Sequence, residues 1–190
     1  MSAYNEEKYI SAAIKSILNQ TYPYFEFIII NDGSTDNTES VVKSFNDERI
    51  VYKKMDKVSF SKALNIGLNS AKYNFVARMD ADDISHPERF EKQMKFLNKN
   101  PNVQVVSSGY GLFKGNHISH IYQLPVNDSD IKEQLNYSSS VCHAGSVYSK
   151  KHILKFGGYN EKLDILEDID LWLRIRKDTE FHNLNEILYL

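Results

Sequence analysis

Cysteine is nearly absent: Cys142 is the only one among 190 residues, which excludes a disulfide framework and suits a reducing compartment. Long apolar runs are missing too. The longest, Phe25 to Ile30 and Ile187 to Leu190, are strand-sized and too short to span a bilayer. No basic region followed by an apolar one opens the chain, so no secretory leader is read there. There is no basic excess either: the formal net charge is −2, without the basic stripe that nucleic acid as a main partner requires. No internal repeat, linker or low-complexity segment interrupts the sequence. Together these absences predict a soluble cytoplasmic protein, with peripheral association at the inner face of the membrane as the remaining option. What is present is ordinary for a globular chain, 42% hydrophobic and 25% charged, and long enough to bury a sizeable core.

The stretch from Tyr73 to Asp83 organises the rest. A short apolar segment, Phe75-Val76-Ala77-Arg78-Met79, runs straight into Asp80, Asp82 and Asp83, the pattern of a buried strand delivering charge to its C-terminal edge. Open α/β sheets bind ligands at that edge. On a continuing strand Asp80 and Asp82 face the same way, toward one oxygen-seeking cation such as Mg²⁺ or Mn²⁺. The alternative is a solvated acidic turn ahead of the helix that Pro87 begins.

The same grammar recurs along the chain. Ile10, Ala13, Ile14, Ile17 and Leu18 repeat at helical spacing after Asn5, a good N-cap. Tyr24 to Ile30 is β-branched and aromatic, and it stops in Asn31-Asp32-Gly33-Ser34-Thr35-Asp36 before a helix carrying Val41, Val42 and Phe45. A strand at Arg49 to Lys53 precedes a helix opened by Ser59 or Ser61 and marked by Ala63, Gly67 and Ala71. Alternation to residue 107 predicts a mostly parallel sheet covered on both faces. Beyond it come strands at Val103 to Ser107 and Ser146 to Ser149, and a hairpin around Lys114-Gly115-Asn116. Short helices are read after Asp128 and at Lys150 to Phe156, a longer one at Leu166 to Ile175, and two short strands near Phe181 and Ile187.

Four separated motifs resemble the family 2 glycosyltransferases, inverting enzymes with the GT-A fold. They are Ala3-Tyr4-Asn5-Glu6, Asn31 to Asp36, Met79-Asp80-Ala81-Asp82-Asp83, and Gly157-Gly158-Tyr159-Asn160 with Glu167 to Arg174; one alone is weak, four in order are not. The resemblance implies a Rossmann-like, mixed and mostly parallel sheet with helices on both faces. It implies one domain over residues 1–190, with a nucleotide-binding half (1–107) and an acceptor-binding half (108–190). In the family a hydrophobic central strand precedes the Tyr4-Asn5 loop and a metal-binding histidine often follows the last strand. Here Met1 begins in that loop, so the first central strand is expected to be missing and the chain truncated at both ends.

By the same resemblance, Tyr4, Asn5, Glu6, Asp32, Lys62, Asp80 and Ala81 hold a nucleotide-sugar, with Tyr4 stacked on the base and Asp32 at its edge. Asp82 binds the cofactor, Mn²⁺ or Mg²⁺, which bridges the diphosphate. Asp168 is the general base of a single displacement, positioned by Glu167, although acids at a helix N-terminus are also favoured by the dipole alone. His143, Gly158, Tyr159 and Trp172 are candidates for the acceptor pocket. For His143 a structural role is the alternative, for Gly157 and Gly158 a helix stop, and for Trp172 plain core packing. His117 and His120 are read as surface residues without further ligands. The expected activity is transfer from a nucleotide-sugar, a UDP-sugar first, to a saccharide or lipid-linked acceptor in polysaccharide biosynthesis. Two other readings stand beside it: a truncated relative that binds a nucleotide or a partner without turnover, and a sugar nucleotidyltransferase. The latter lacks its Gly-rich basic loop, since Met1 to Lys8 holds no glycine.

Overall fold

The structure, a computed structural model, describes residues 1–115, 117–163 and 165–190. Three parallel strands, β1 (Ser2–Ala3), β2 (Phe27–Asp32) and β3 (Ile50–Met55), form one sheet in that order. The Ile28-Ile29-Ile30 run makes β2 the spine: Ile29 and Ile30 are wholly buried, as a strand covered on both faces requires. A second, mixed sheet is built from β4 (Phe75–Ala77), β5 (Val105–Lys114), β6 (His117–Tyr122), β7 (Val147–Ser149) and β8 (Phe181–Tyr189). Its order is β4-β7-β5-β6, with β8 running parallel to β5. The expected mostly parallel arrangement therefore holds for β1 to β3 and for β5 with β8; β7 returns antiparallel against both β4 and β5.

Helices cover these sheets for the reasons their spacing gives. The helix α1 (Ile10–Leu18) buries Ile10, Ala13, Ile14 and Ile17, one stripe at three- and four-residue steps. It starts at Ile10 instead of just after Asn5, because Asn5 lies at φ 57° and its Oδ1 accepts from the Thr35 N–H instead of capping its own chain. Then α2 (Thr38–Lys43) and α3 (Phe60–Ser70) follow, the latter capped by Ser59, whose hydroxyl accepts from the Lys62 N–H. Pro87 lies just outside α4 (Arg89–Lys99), and α5 (Asp128–Gln134) and α6 (Lys150–Lys155) are short. The last helix, α7 (Glu167–Ile175), buries Leu171, Trp172 and Ile175. The strands read at Val103 to Ser107 and Tyr110 to Phe113 are one strand, β5, and those near Phe181 and Ile187 are one strand, β8. Asn116, in the expected hairpin turn, lies outside the described residues.

Ahead of the Tyr4-Asn5 loop the strand is two residues long. Ser2–Ala3 pairs with Ile30–Asn31, and Ile30 N–H donates to the Met1 carbonyl at 3.0 Å. Alongside, between β2 and β4, lies an apolar cavity of about 440 Å³ lined by Phe27, Leu64, Leu68, Val76, Phe90 and Met94. Among the described residues no helix is long and apolar enough to cross a membrane.

Candidate active site

The parallel strands end on one edge, and their loops are laced together there. Asn5 N–H donates to Ser34 Oγ at 3.0 Å, and Asn5 Oδ1 accepts from the Thr35 N–H at 2.8 Å. Glu6 N–H reaches Thr38 Oγ1 at 2.8 Å, and Glu7 N–H reaches Asp36 Oδ2 at 3.0 Å. Asn5 sits at φ 57°, a left-handed conformation that asparagine tolerates better than most residues. Tyr4 is thereby left half exposed at the rim, while Asp32 is buried below it.

Both oxygens of Asp32 are engaged from the β3–α3 loop: Oδ1 accepts from the Val58 N–H at 2.8 Å and Oδ2 from Lys57 Nζ at 2.7 Å. Lys57 also places its ammonium 3.6 Å from the centre of the Tyr4 ring. Gly33 lets the two loops come this close: it adopts φ +74°, and a Cβ there would lie 2.8 Å from the Lys57 backbone nitrogen. Asn31 is structural, donating to Tyr52 Oη and accepting from the Ser34 N–H. Lys62 points from the first turn of α3 and is exposed; the cation at Tyr4 and Asp32 is Lys57. Its position after the third parallel strand, on the ligand-binding edge, was the available signal for it.

The third loop follows β4, which ends at Ala77. Asp80 and Asp82 are therefore not neighbours on a strand as expected. Asp80 turns inward to pair with the guanidinium of Arg78, while Asp82 is exposed and Ala81 buried. Burial works against the Arg78 charge, but Asp80 with Tyr189 and Tyr159 outweighs it and keeps the guanidinium ionised. Arg78 N–H donates to the Ser146 carbonyl and Asp80 N–H to Tyr189 Oη, which fixes the loop against β7 and β8. Burial, Asp80 and Asp82 push the Asp83 carboxyl up to about 6 despite its hydrogen bond with Tyr189. Glu6 is raised by partial burial and by Asp82, Asp36 and Asp80. The first and third loops thus share one negative field.

The N-terminus of α7 lies within reach of the Arg78 and Asp80 charges. Glu167 and Asp168 both lie in its first turn, after Leu166 at φ 65°. Burial raises the proton affinity of each; the Asp80 charge adds to both and Asp168 adds to Glu167, with Arg78 opposing. His143 is buried, its Nδ1 lying 3.7 Å from Glu167 Oε1 and its Nε2 bonded to Tyr159 Oη at 2.8 Å. Burial and Arg78 hold its pKa well below the ordinary histidine value, so the Glu167 contact joins a neutral ring to a carboxyl and is not an ion pair. Tyr159 Oη continues to Tyr148 Oη at 2.8 Å. Gly158, at φ +72°, presses against Asn65, whose Oδ1 accepts from the Tyr159 N–H and whose Nδ2 donates to the Tyr159 carbonyl.

Trp172 is fully buried between His143 and Phe181, and Tyr159 is 2% exposed. These two and Gly158 are therefore interior residues with no open surface for an acceptor, and Tyr159 and Trp172 pack against His143. His117 and His120 lie on β6, exposed throughout. Among the described residues no group of three or more His, Cys, Asp or Glu side chains forms a ready-made metal cage. The acidic rim suits instead a hard cation held by one carboxylate together with ligand phosphates, the usual arrangement for Mg²⁺. Asp82 is an exposed carboxylate that could hold such a cation.

Residues 1–157 match the sequence profile of Glycosyl transferase family 2. The chain belongs to glycosyltransferase family 2. It is 35% identical to the O-antigen biosynthesis glycosyltransferase WbnJ of Escherichia coli over 99% of its own length and 76% of that protein's. It is 32% identical to the amylovoran biosynthesis glycosyltransferase AmsE of Erwinia amylovora over 92% of the chain and 67% of AmsE. Against a glycosyltransferase of Rickettsia felis, at 34% identity, it spans 32% of the relative. Crystallised TarS of S. aureus in complex with UDP-GlcNAc superposes with a TM-score of 0.83 at 21% identity, over 99% of this chain and 56% of that one. The mannosyltransferase PcManGT from Pyrobaculum calidifontis, in complex with GDP-Man and Mn²⁺, gives 0.71 at 19% identity, over 98% and 53% of the two chains. These two likenesses establish the GT-A fold of this family 2 glycosyltransferase.

Proposed function

We propose that this family 2 glycosyltransferase transfers a sugar from a UDP-sugar to a hydroxyl of a saccharide or lipid-linked acceptor, with inversion, using Asp168 as general base. The observation that carries the proposal is a partly buried carboxylate, Asp168, in the first turn of α7: burial raises its proton affinity, and the charges of Arg78 and Asp80 from the loop after β4 reach it. Tyr4 offers a face for the base and Asp32 an acceptor for a base N–H. Asp168 takes the acceptor hydroxyl proton as its oxygen attacks the anomeric carbon, and the bond from that carbon to the diphosphate oxygen breaks. A base of raised proton affinity suits this step better than an ordinary aspartate, and Glu167, linked to His143, orients it. Asp82 would hold Mn²⁺ or Mg²⁺; when bound, such a cation neutralises charge on the departing UDP. The UDP-GlcNAc bound to TarS and the Mn²⁺ bound to PcManGT support this choice of donor and cofactor, and the O-antigen and amylovoran relatives support an acceptor in polysaccharide assembly. The test is UDP release from a panel of UDP-sugars with the expected acceptors, alongside Asp168→Asn. Equal release by both proteins removes Asp168 from the mechanism, and UDP affinity indifferent to Mn²⁺ removes the cation.

A further inference from the structure

The Lys57 ammonium covers one face of the Tyr4 ring, the face next to Asp32 Oδ2. It stands 3.6 Å from the ring centre, the height of any stacked ring in van der Waals contact, roughly 3.5 Å. It also holds Asp32 Oδ2 at 2.7 Å, the acceptor that a base N–H needs. Asp32 is 2% exposed, and a buried carboxylate oxygen stripped of its donor is costly. Its other oxygen is held by the backbone N–H of Val58, which needs no displacement. The Lys57 side chain, 51% exposed, is free to swing out.

We propose that Lys57 is an internal ligand of the empty base subsite, exchanged for the base when the nucleotide enters and returning to Asp32 as the product leaves. The proposal rests on the reading of Tyr4 and Asp32 as the base subsite. On that basis the site is satisfied in both states: ammonium over the ring and on Oδ2 when empty, base over the ring with its N–H on Oδ2 when filled. The exchange lowers apparent affinity by the fraction of molecules in which Lys57 has left the ring. It also gives the departing base a competitor already tethered to the pocket.

The experiment titrates uridine, a nucleoside without phosphates, so that a displaced ammonium has no phosphate to pair with. Lys57→Ala is expected to bind uridine about tenfold tighter than the wild type, from the loss of one half-exposed ion pair and one cation–π contact. Lys57→Arg, which keeps a cation at the ring, stays close to wild type, and thermal melting of both variants checks their folding. If Tyr4→Ala weakens uridine binding while Lys57→Ala leaves it unchanged or weaker, the exchange is overturned and the base subsite stands. If uridine binding is indifferent to Tyr4→Ala, or absent from the wild type and from Lys57→Ala alike, the base subsite falls and the exchange with it.

Discussion

Replacing Gly158 by alanine tests how the interior behind the cleft is held. Gly158 has φ +72°, and an added Cβ would lie 2.6 Å from Asn65 Oδ1. That oxygen accepts from the Tyr159 N–H at 2.9 Å, and the same amide donates to the Tyr159 carbonyl at 2.9 Å. Alanine in the left-handed region costs about 1 kcal/mol, and driving Asn65 away forfeits two buried hydrogen bonds at about 1 kcal/mol each. Stiffening the unfolded chain returns about 0.5 kcal/mol, leaving a net loss of about 2–3 kcal/mol. Gly157 supplies the control: its φ is +85° but nothing lies within 4 Å of an added Cβ, so Gly157→Ala meets only the backbone strain, about 0.5–1 kcal/mol after the same correction. Urea unfolding of both variants, with unchanged m values, gives the two losses. Equal losses would refute the Asn65 clasp.

Three further outcomes follow from the site. Asp168→Asn should lower UDP release from a UDP-sugar by about 10²–10⁴-fold, the usual range for a lost general base, while UDP affinity measured by calorimetry stays within about twofold on the same reasoning. His143 has its folded pKa held below the unfolded value by burial and Arg78. The unfolded chain therefore takes up the proton first as pH falls below about 6.5, and stability present above that pH is lost below it. Relative to His143→Gln, the wild type should lose up to about 1.4 kcal/mol per pH unit there; a difference in urea stability that stays constant between pH 7.5 and 5.5 contradicts this. Burial pushes the Cys142 thiol up to about 12, so at neutral pH it holds little thiolate and a thiol reagent should modify it far more slowly than it modifies an unfolded cysteine; labelling of the native protein as fast as that of the urea-unfolded chain would contradict this.

Much of the fold was legible because it is written in local periodicity. The apolar run of β2 and the three- and four-residue spacing of α1 needed no tertiary information. The start of α1 was not legible, because Asn5, a good cap by type, spends its side chain on Thr35 of another loop. Strands β5 and β8 read as broken because Gly109 and Gly111 and the polar Asn185-Glu186 interrupt the apolar pattern; their pairing is long-range and irregular, with register shifts near Gly109. In the site, the residue types that the loops present were legible, but which partners they choose was not. Asp80 belongs to Arg78, a cation hidden inside an apolar run, and Asp32 belongs to Lys57, from a loop with no motif of its own. Trp172 and Tyr159 could be placed on either side of the cleft wall until burial assigned both to the interior.

The proposal that the Tyr4, Asp32 and Asp82 loops and Asp168 serve one reaction is tested most directly by a crystal soaked with UDP and Mn²⁺. Density for uracil on the Tyr4 ring with an N–H toward Asp32, a cation beside Asp82 and the diphosphate turned toward Asp168 is the expected result. UDP bound elsewhere, or at that rim with its diphosphate directed away from Asp168, would contradict it.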